Sequence, residues 1–259
     1  MRRILPLIVI FMLSACASSP LKLSSYSGGK SLYPAVHKIF SDYHLGFAKV
    51  DINNEQYVSD FYYGKDLLLN LRFHIHVVRL GNQIAVSLDD MANQDANGIW
   101  SFTNTTIAFN INKFRNQLSQ KISSAMNSAQ YTKYRAEALS DLGFISHVLY
   151  DMPKAGRQDW YRENMQNRIY SINFPLENVV YSKSKYGKFL VSFNTGNPLS
   201  DIDEQTAFSQ HFDLAMYTNN TRYEYIKKGT EISTHGKFVA SNIGYIDMLG
   251  DTLYLVEAQ

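Results

Sequence analysis

The sequence predicts an α+β protein: an N-terminal module of helix plus antiparallel sheet, a helical connector, and a C-terminal β-rich module. Three observations carry this expectation. Across residues 32–129 the apolar spacing changes from helical to strand-like alternation and back to helical. Residues 130–169 keep helical character, and from about 170 onward Tyr-, Val- and Phe-rich strand signals return. The composition agrees: 259 residues with 45% hydrophobic content, 18 Tyr and 15 Phe bury a sizeable core, which excludes wholesale disorder.

Each element has a local reason. Ser31 and Pro34 open a helix whose Val36, Ile39, Phe40 and Tyr43 recur at helical spacing, with Gly46 just beyond. Leu45–Ile52 and Gln56–Tyr63 flank Asn53-Asn54, a pair that tolerates positive φ and suits a tight hairpin. Leu69–Leu80 and Gln83–Asp89 flank Gly81-Asn82, a second hairpin signal. Trp100–Asn110 adds a further strand, and Ile111–Ala129 is a helix with the stripe Ile111, Phe114, Leu118, Ile122 and Ala125. Tyr131–Tyr150 reads as one helix that Pro153 ends, and Lys154–Arg168 as a polar helical connector. In the last module Val179–Phe193 is a long strand bending or turning at Gly187. Phe212–Tyr217, the Lys227–Val239 stretch and Tyr245–Val256 supply the remaining strands.

The first twenty residues carry an address. Met1-Arg2-Arg3, the apolar stretch Ile4–Leu13 and the small residues after it are the parts of a secretory signal. Ten residues containing Pro6 fall far short of the ~20 a spanning helix needs. Leu13-Ser14-Ala15-Cys16 resembles the signal box of bacterial lipoproteins, and Cys16 is the only cysteine in the chain. That resemblance implies cleavage before Cys16 and attachment of acyl chains such as palmitate, a firm membrane anchor where two or more chains are present. Ala17 stands where inner-membrane retention uses Asp, so the expected place is the outer membrane, facing the periplasm. Residues 1–15 are then the signal peptide, 16–31 a flexible Ser- and Gly-rich tether, 32–129 the α+β module, 130–169 the helical connector and 170–259 the β-rich module.

The order helix, antiparallel strands, long helix over 32–129 resembles helix-grip (BamC-like) modules. The ending Lys227-Lys228-Gly229-Thr230-Glu231-Ile232, Gly236-Lys237-Phe238 and Asp251–Ala258 resembles the last strands of OB-like (tRNA-anticodon-binding-like) domains, which implies a small barrel over 170–259. OB barrels often bind nucleic acid, but this module has seven basic against ten acidic residues, and a phosphate-binding surface needs clustered cations. No nucleic-acid partner is expected. Lys183, Lys185 and Lys188 read as a solvated strand edge that discourages aggregation. The chain's formal charge of +2 comes from Arg2 and Arg3, which leave with the signal peptide.

The chemical motifs are few. His74 and His76 lie two apart on a strand, so they share a face and make a candidate metal pair, although His37, His44, His147, His211 and His235 are scattered in sequence. Asn93, Asp95 and Asn97 before Gly98 match the opening of a calcium loop, but loop position 12 is Asn104 where a bidentate Glu belongs, so a polar turn is the plainer reading. Gly29-Lys30-Ser31 lacks the leading glycine of a phosphate loop, and Asp201–Glu204 reads as an acidic turn. No catalytic residue, metal or cofactor is assigned. The nine tyrosines Tyr161, Tyr170, Tyr181, Tyr186, Tyr217, Tyr223, Tyr225, Tyr245 and Tyr254 are too many to bury with paired hydroxyls, so some are expected on the surface. The functional expectation is a non-catalytic binding or assembly module, anchored through Cys16, with an envelope protein as partner. The alternative is an envelope hydrolase or glycan-binding protein with a discontinuous polar site, which a concave pocket of converging His and carboxylate groups would favour.

Overall fold

Apolar residues on most sides of the first helix predict deep burial, and the computed structural model, which describes residues 22–25, 29–66, 69–103, 109–195, 213–240, 243 and 252–258, places it in the core. The signal box Leu13–Cys16, Asn104, the Asp201–Glu204 turn, His211 and Tyr245 lie outside the described residues. Helix α1 (Tyr33–Asp42) carries Pro34 in its first turn, where the missing N–H costs nothing, and buries Tyr33, Val36, His37, Ile39 and Phe40. It is followed by β2 (Phe47–Asp51), β3 (Gln56–Asp66), β4 (Leu69–Leu80), β5 (Gln83–Gln94) and β6 (Trp100–Phe102), and then by α2 (Phe109–Asn127). The sheet order is β1-β5-β4-β3-β2, β1 being Lys22–Ser25, with every pair antiparallel and β6 also against β5. Alternation on β4 buries Leu71, Phe73, Ile75 and Val77 on one face, where α1 and the Leu118–Ile122 stripe of α2 join the same core.

Several boundaries differ from the sequence expectation. Lys22–Ser25, expected within the flexible tether, pairs with β5, and its Ser24 hydroxyl bonds the Ser119 carbonyl of α2 at 3.1 Å. An unpaired stretch of β5 offered a ladder that local composition does not reveal. The β4–β5 turn is the two-residue one expected, with Gly81 at φ +61° and Leu80 opposite Gln83. The β2–β3 turn is longer: Asp51 opposes Gln56, and positive φ falls on Glu55 rather than on Asn53-Asn54. Glu55 is held there by the Leu32 N–H at 2.7 Å and by Arg79 at 2.5 Å. Tyr131–Tyr150 is two helices, α3 (Tyr131–Ala138) and α4 (Leu142–Asp151), because Asp141 turns out of the helix and caps α4 through the Gly143 and Phe144 N–H groups.

Helix α5 (Lys154–Asn164) leads into the second sheet: β7 (Tyr170–Tyr181), β8 (Phe189–Phe193), β9 (Asp213–Thr218), β10 (Glu231–Phe238) and β11 (Thr252–Glu257). These close into a barrel in the order β7-β8-β9-β11-β10, with β9 and β11 the parallel pair. First, second, third, fifth, fourth and back to first is the strand order of an OB-like barrel. The expected long Val179–Phe193 strand is two strands that turn before Gly187, whose Cα lies against Thr218 so closely that a Cβ would sit 2.6 Å from the Thr218 nitrogen. Lys183, Lys185 and Lys188 are exposed on and beside that turn, next to the Asn178–Tyr181 end of β7, which pairs with β8 on one side. Tyr223, in a short 3₁₀ turn (Thr221–Tyr225), is fully buried, and its hydroxyl donates to Glu257 at 3.0 Å.

Candidate functional site

Three local irregularities converge at one end of α1. The first is the helix's own stop. Leu45 N–H bonds the Phe40 carbonyl at 2.9 Å and His44 N–H the Ser41 carbonyl at 3.0 Å, the double closure of a Schellman motif. The left-handed position of that motif, usually glycine, is occupied by His44 at φ +56°. The second is the start of α4. One Asp141 carboxylate oxygen accepts the Gly143 and Phe144 N–H groups at 2.8 and 3.2 Å, and the other meets His37 Nε2 at 2.9 Å. Burial works against the charge on Asp141, but the His37 hydrogen bond and the two backbone donors outweigh it and hold its carboxyl below the usual range. The His37 ring is itself fixed between Phe47 and Phe144, with centroids 6.3 and 5.4 Å away.

The third is a β-bulge. In β3, Val58 opposes His76 and Phe61 opposes His74, so Ser59 and Asp60 together face Ile75. Ser59 turns inward and its hydroxyl accepts the Ile75 N–H at 2.9 Å. Asp60 turns the other way: its backbone N–H donates to the Gly46 carbonyl at 3.1 Å and its carbonyl accepts the Ser59 hydroxyl at 2.7 Å, while its carboxylate meets no donor among the described residues. Its residue surface is 9% exposed, and burial pushes its carboxyl up to about 6. These groups line a cleft of about 390 Å³ with His37, Ser41, His44, Asp60, Asp141 and the buried His147 of α4 on its walls. Three histidines that are scattered in sequence thus stand around one cavity with two carboxylates. The low helix propensity of Asp141 and Gly143 was the one legible sign that a cap sat there.

The residues singled out from sequence lie elsewhere. His74 and His76 share the sheet face away from the core but take different partners. His74 Nδ1 donates to the Ser59 carbonyl at 2.7 Å and its ring stacks on Phe61, centroids 3.9 Å apart. His76 Nδ1 lies 3.0 Å from Asp89 Oδ2, and that hydrogen bond holds the Asp89 carboxyl below its ordinary value against a burial penalty. Asn93 sits within β5, opposite Leu71 and Ser101. Asp95 turns its carboxylate onto the Asn97 and Ile99 N–H groups at 2.9 and 2.8 Å, and Gly98 takes φ +83°, so Asn93–Gly98 closes the β5–β6 turn with its own backbone as the acid's partner. Among the described residues no group of three or more His, Cys, Asp or Glu is placed to hold a metal ion.

The barrel offers a second surface. Register places Val180, Leu190, Tyr217, Val256 and Lys237 in one row around its outer wall. Tyr217 stacks on Tyr254 at 5.8 Å and packs beside Tyr186 at 5.7 Å, while Tyr181 is 78% and Tyr225 84% exposed. Tyr161, Tyr170 and Tyr223 are buried, so the eight of these tyrosines among the described residues divide between core and surface. No helix among the described residues is long and apolar enough to cross a membrane. No protein-family model matches the chain, and no curated protein matches it.

Proposed function

We propose that the protein is a lipid-anchored envelope protein, held through Cys16 at the outer membrane and facing the periplasm, that acts as a non-catalytic binding or assembly module for another envelope protein. The observation that carries this reading is the aromatic wall of the barrel. Tyr186, Tyr217 and Tyr254 present rigid, amphipathic area beside Val180, Leu190 and Val256, the residue chemistry that supplies contact surface at low entropy cost. The tether adds the second part. The sheet begins at Lys22, six positions after Cys16, so a lipid on that cysteine holds β1 within about 20 Å of the bilayer surface. Confinement of that kind raises the effective concentration of the wall near membrane-bound partners.

The test is in-cell cross-linking with membrane fractionation. The wild type is expected to yield a discrete cross-linked species in the membrane fraction. Cys16→Ala moves the protein out of that fraction, and Tyr217→Ala with Tyr254→Ala removes the species while the protein stays folded and membrane-bound. Unchanged cross-linking in the tyrosine variant refutes the wall as the recognition surface. A second reading, an envelope hydrolase or glycan-binding protein, has the cleft of His37, His147, Asp60 and Asp141 in its favour. It requires turnover or binding of ester or glycan substrates that His37→Gln abolishes.

A further inference from the structure

We propose that the cleft between α1, α4 and the β3 bulge binds a small organic cation, seating its ammonium or guanidinium head on the carboxylate of Asp60. This site is on the other module from the tyrosine wall and does not depend on the binding role assigned to that wall.

The argument starts from Asp60. It is nine-tenths buried, its carboxyl has no hydrogen-bond donor among the described residues, and the bulge aims it into the cavity. An ionised carboxylate in that position loses hydration without recovering a partner, a loss of several kcal/mol that a bound cation would offset. Charge around the cavity has one sign. Its described lining holds two carboxylates, Asp60 and Asp141, and no Lys or Arg. Asp141 is kept ionised by its own hydrogen bonds, so it contributes a standing negative charge at the mouth. His37, from α1, is already committed to Asp141, whereas the exposed His44 offers a ring nitrogen to the N–H groups of a cationic head.

Size and shape fix the ligand class. A cavity of about 390 Å³ suits a molecule of amino-acid or small-amine size and is at the lower end of small-molecule pockets. Phe47, Phe144 and Leu45 give it an apolar floor for a short carbon stem. A divalent metal does not suit the same cavity, because no triad of ligating groups is assembled among the described residues.

Isothermal titration of the detergent-solubilised full chain tests this with n-butylammonium chloride and L-argininamide as probes, and with n-pentanol and calcium and zinc chlorides as controls. At least one cationic probe is expected to bind saturably, which also names the preferred head, while n-pentanol does not. Asp60→Asn should weaken that binding at least tenfold while the protein's melting temperature holds or rises, which separates loss of the site from loss of the fold. Tyr217→Ala with Tyr254→Ala should leave cation binding unchanged, even if the wall proves to have no partner. The proposal is overturned if neither cation binds saturably up to ~10 mM, if Asp60→Asn binds as well as the wild type, or if calcium or zinc binds the cleft in preference to both amines.

Discussion

Replacing Asp60 with Asn should stabilise the protein at neutral and alkaline pH and leave it unchanged in acid. Burial raises the carboxyl from its ordinary 3.8 to about 6, so between those values the folded chain holds a proton that the unfolded chain has released. Stability therefore falls as pH rises through that window, because the native state binds more protons than the unfolded one. The full cost is reached above pH ~6. The gap between 3.8 and about 6 corresponds to about 3 kcal/mol at ~1.4 kcal/mol per tenfold change in proton affinity. Asn carries no charge to desolvate, but its amide still needs partners, so the expected gain at pH 8 is roughly 1–3 kcal/mol. The charged and titratable groups facing Asp60 across the cleft, His37, His44, His147 and Asp141, are the same in both proteins. Urea unfolding of both proteins at pH 4, 6 and 8 measures the difference, which should be near zero at pH 4 and widen to its maximum by pH 8. A variant that is less stable at pH 8, or a difference that does not vary with pH, would refute the reasoning, since either result means that Asp60 has a stabilising partner in the folded chain.

Four further substitutions, at three positions, probe the frame of the cleft and the barrel. Asp141→Ala removes both the cap of α4 and the partner of His37 and should cost about 2 kcal/mol in chemical denaturation. Asp141→Asn keeps the cap and should cost roughly half as much; it should also lack the acid-side fall that the wild type shows as pH drops through the depressed pKa of this carboxyl. His44→Gly relieves a left-handed backbone and should raise stability by about 1 kcal/mol in the same assay. Gly187→Ala pushes a Cβ against the Thr218 backbone and should destabilise the barrel by roughly 1–3 kcal/mol, visible as a lower melting temperature.

What was legible in the sequence was whatever local chemistry decides. Gly81-Asn82 made its two-residue turn because the turn's dihedrals are a property of those two residues. The Ile111–Ala125 stripe produced a helix because its spacing matches one face regardless of partner, and the OB-like ending did close a barrel. Elements decided by distant partners were not legible. Nothing in Lys22–Ser25 announces the vacant edge of β5, and nothing in Asn53–Glu55 says that Arg79 and Leu32 will select Glu55 for the left-handed position. The cleft is the extreme case. His37, Asp60 and Asp141 come from a helix, a bulge and a cap that meet only once β3 has paired with β4 and α4 has covered β2. His74 and His76, whose spacing drew attention, follow the strand's period of two and decorate a polar face.

The junction between the two modules is built on α5. Residues 16–169 carry a formal +3 and residues 170–259 a formal −3. The barrel's own pairs, Arg222–Glu257 and Lys228–Glu177, close within it. The contact is made by α5 instead. Its Tyr161 and the following Met165 are buried in one continuous apolar core with Tyr170 and Phe238 of the barrel, and Gln158 donates to the Ala240 carbonyl at 2.8 Å. On its other side, Arg157 donates to the Met152 and Tyr150 carbonyls at 3.0 and 3.2 Å, gripping the end of α4. The N-terminus of that same α4, capped by Asp141, forms a wall of the cleft. The cleft and the barrel therefore share a scaffold: two successive helices tied to both by burial and by backbone acceptors.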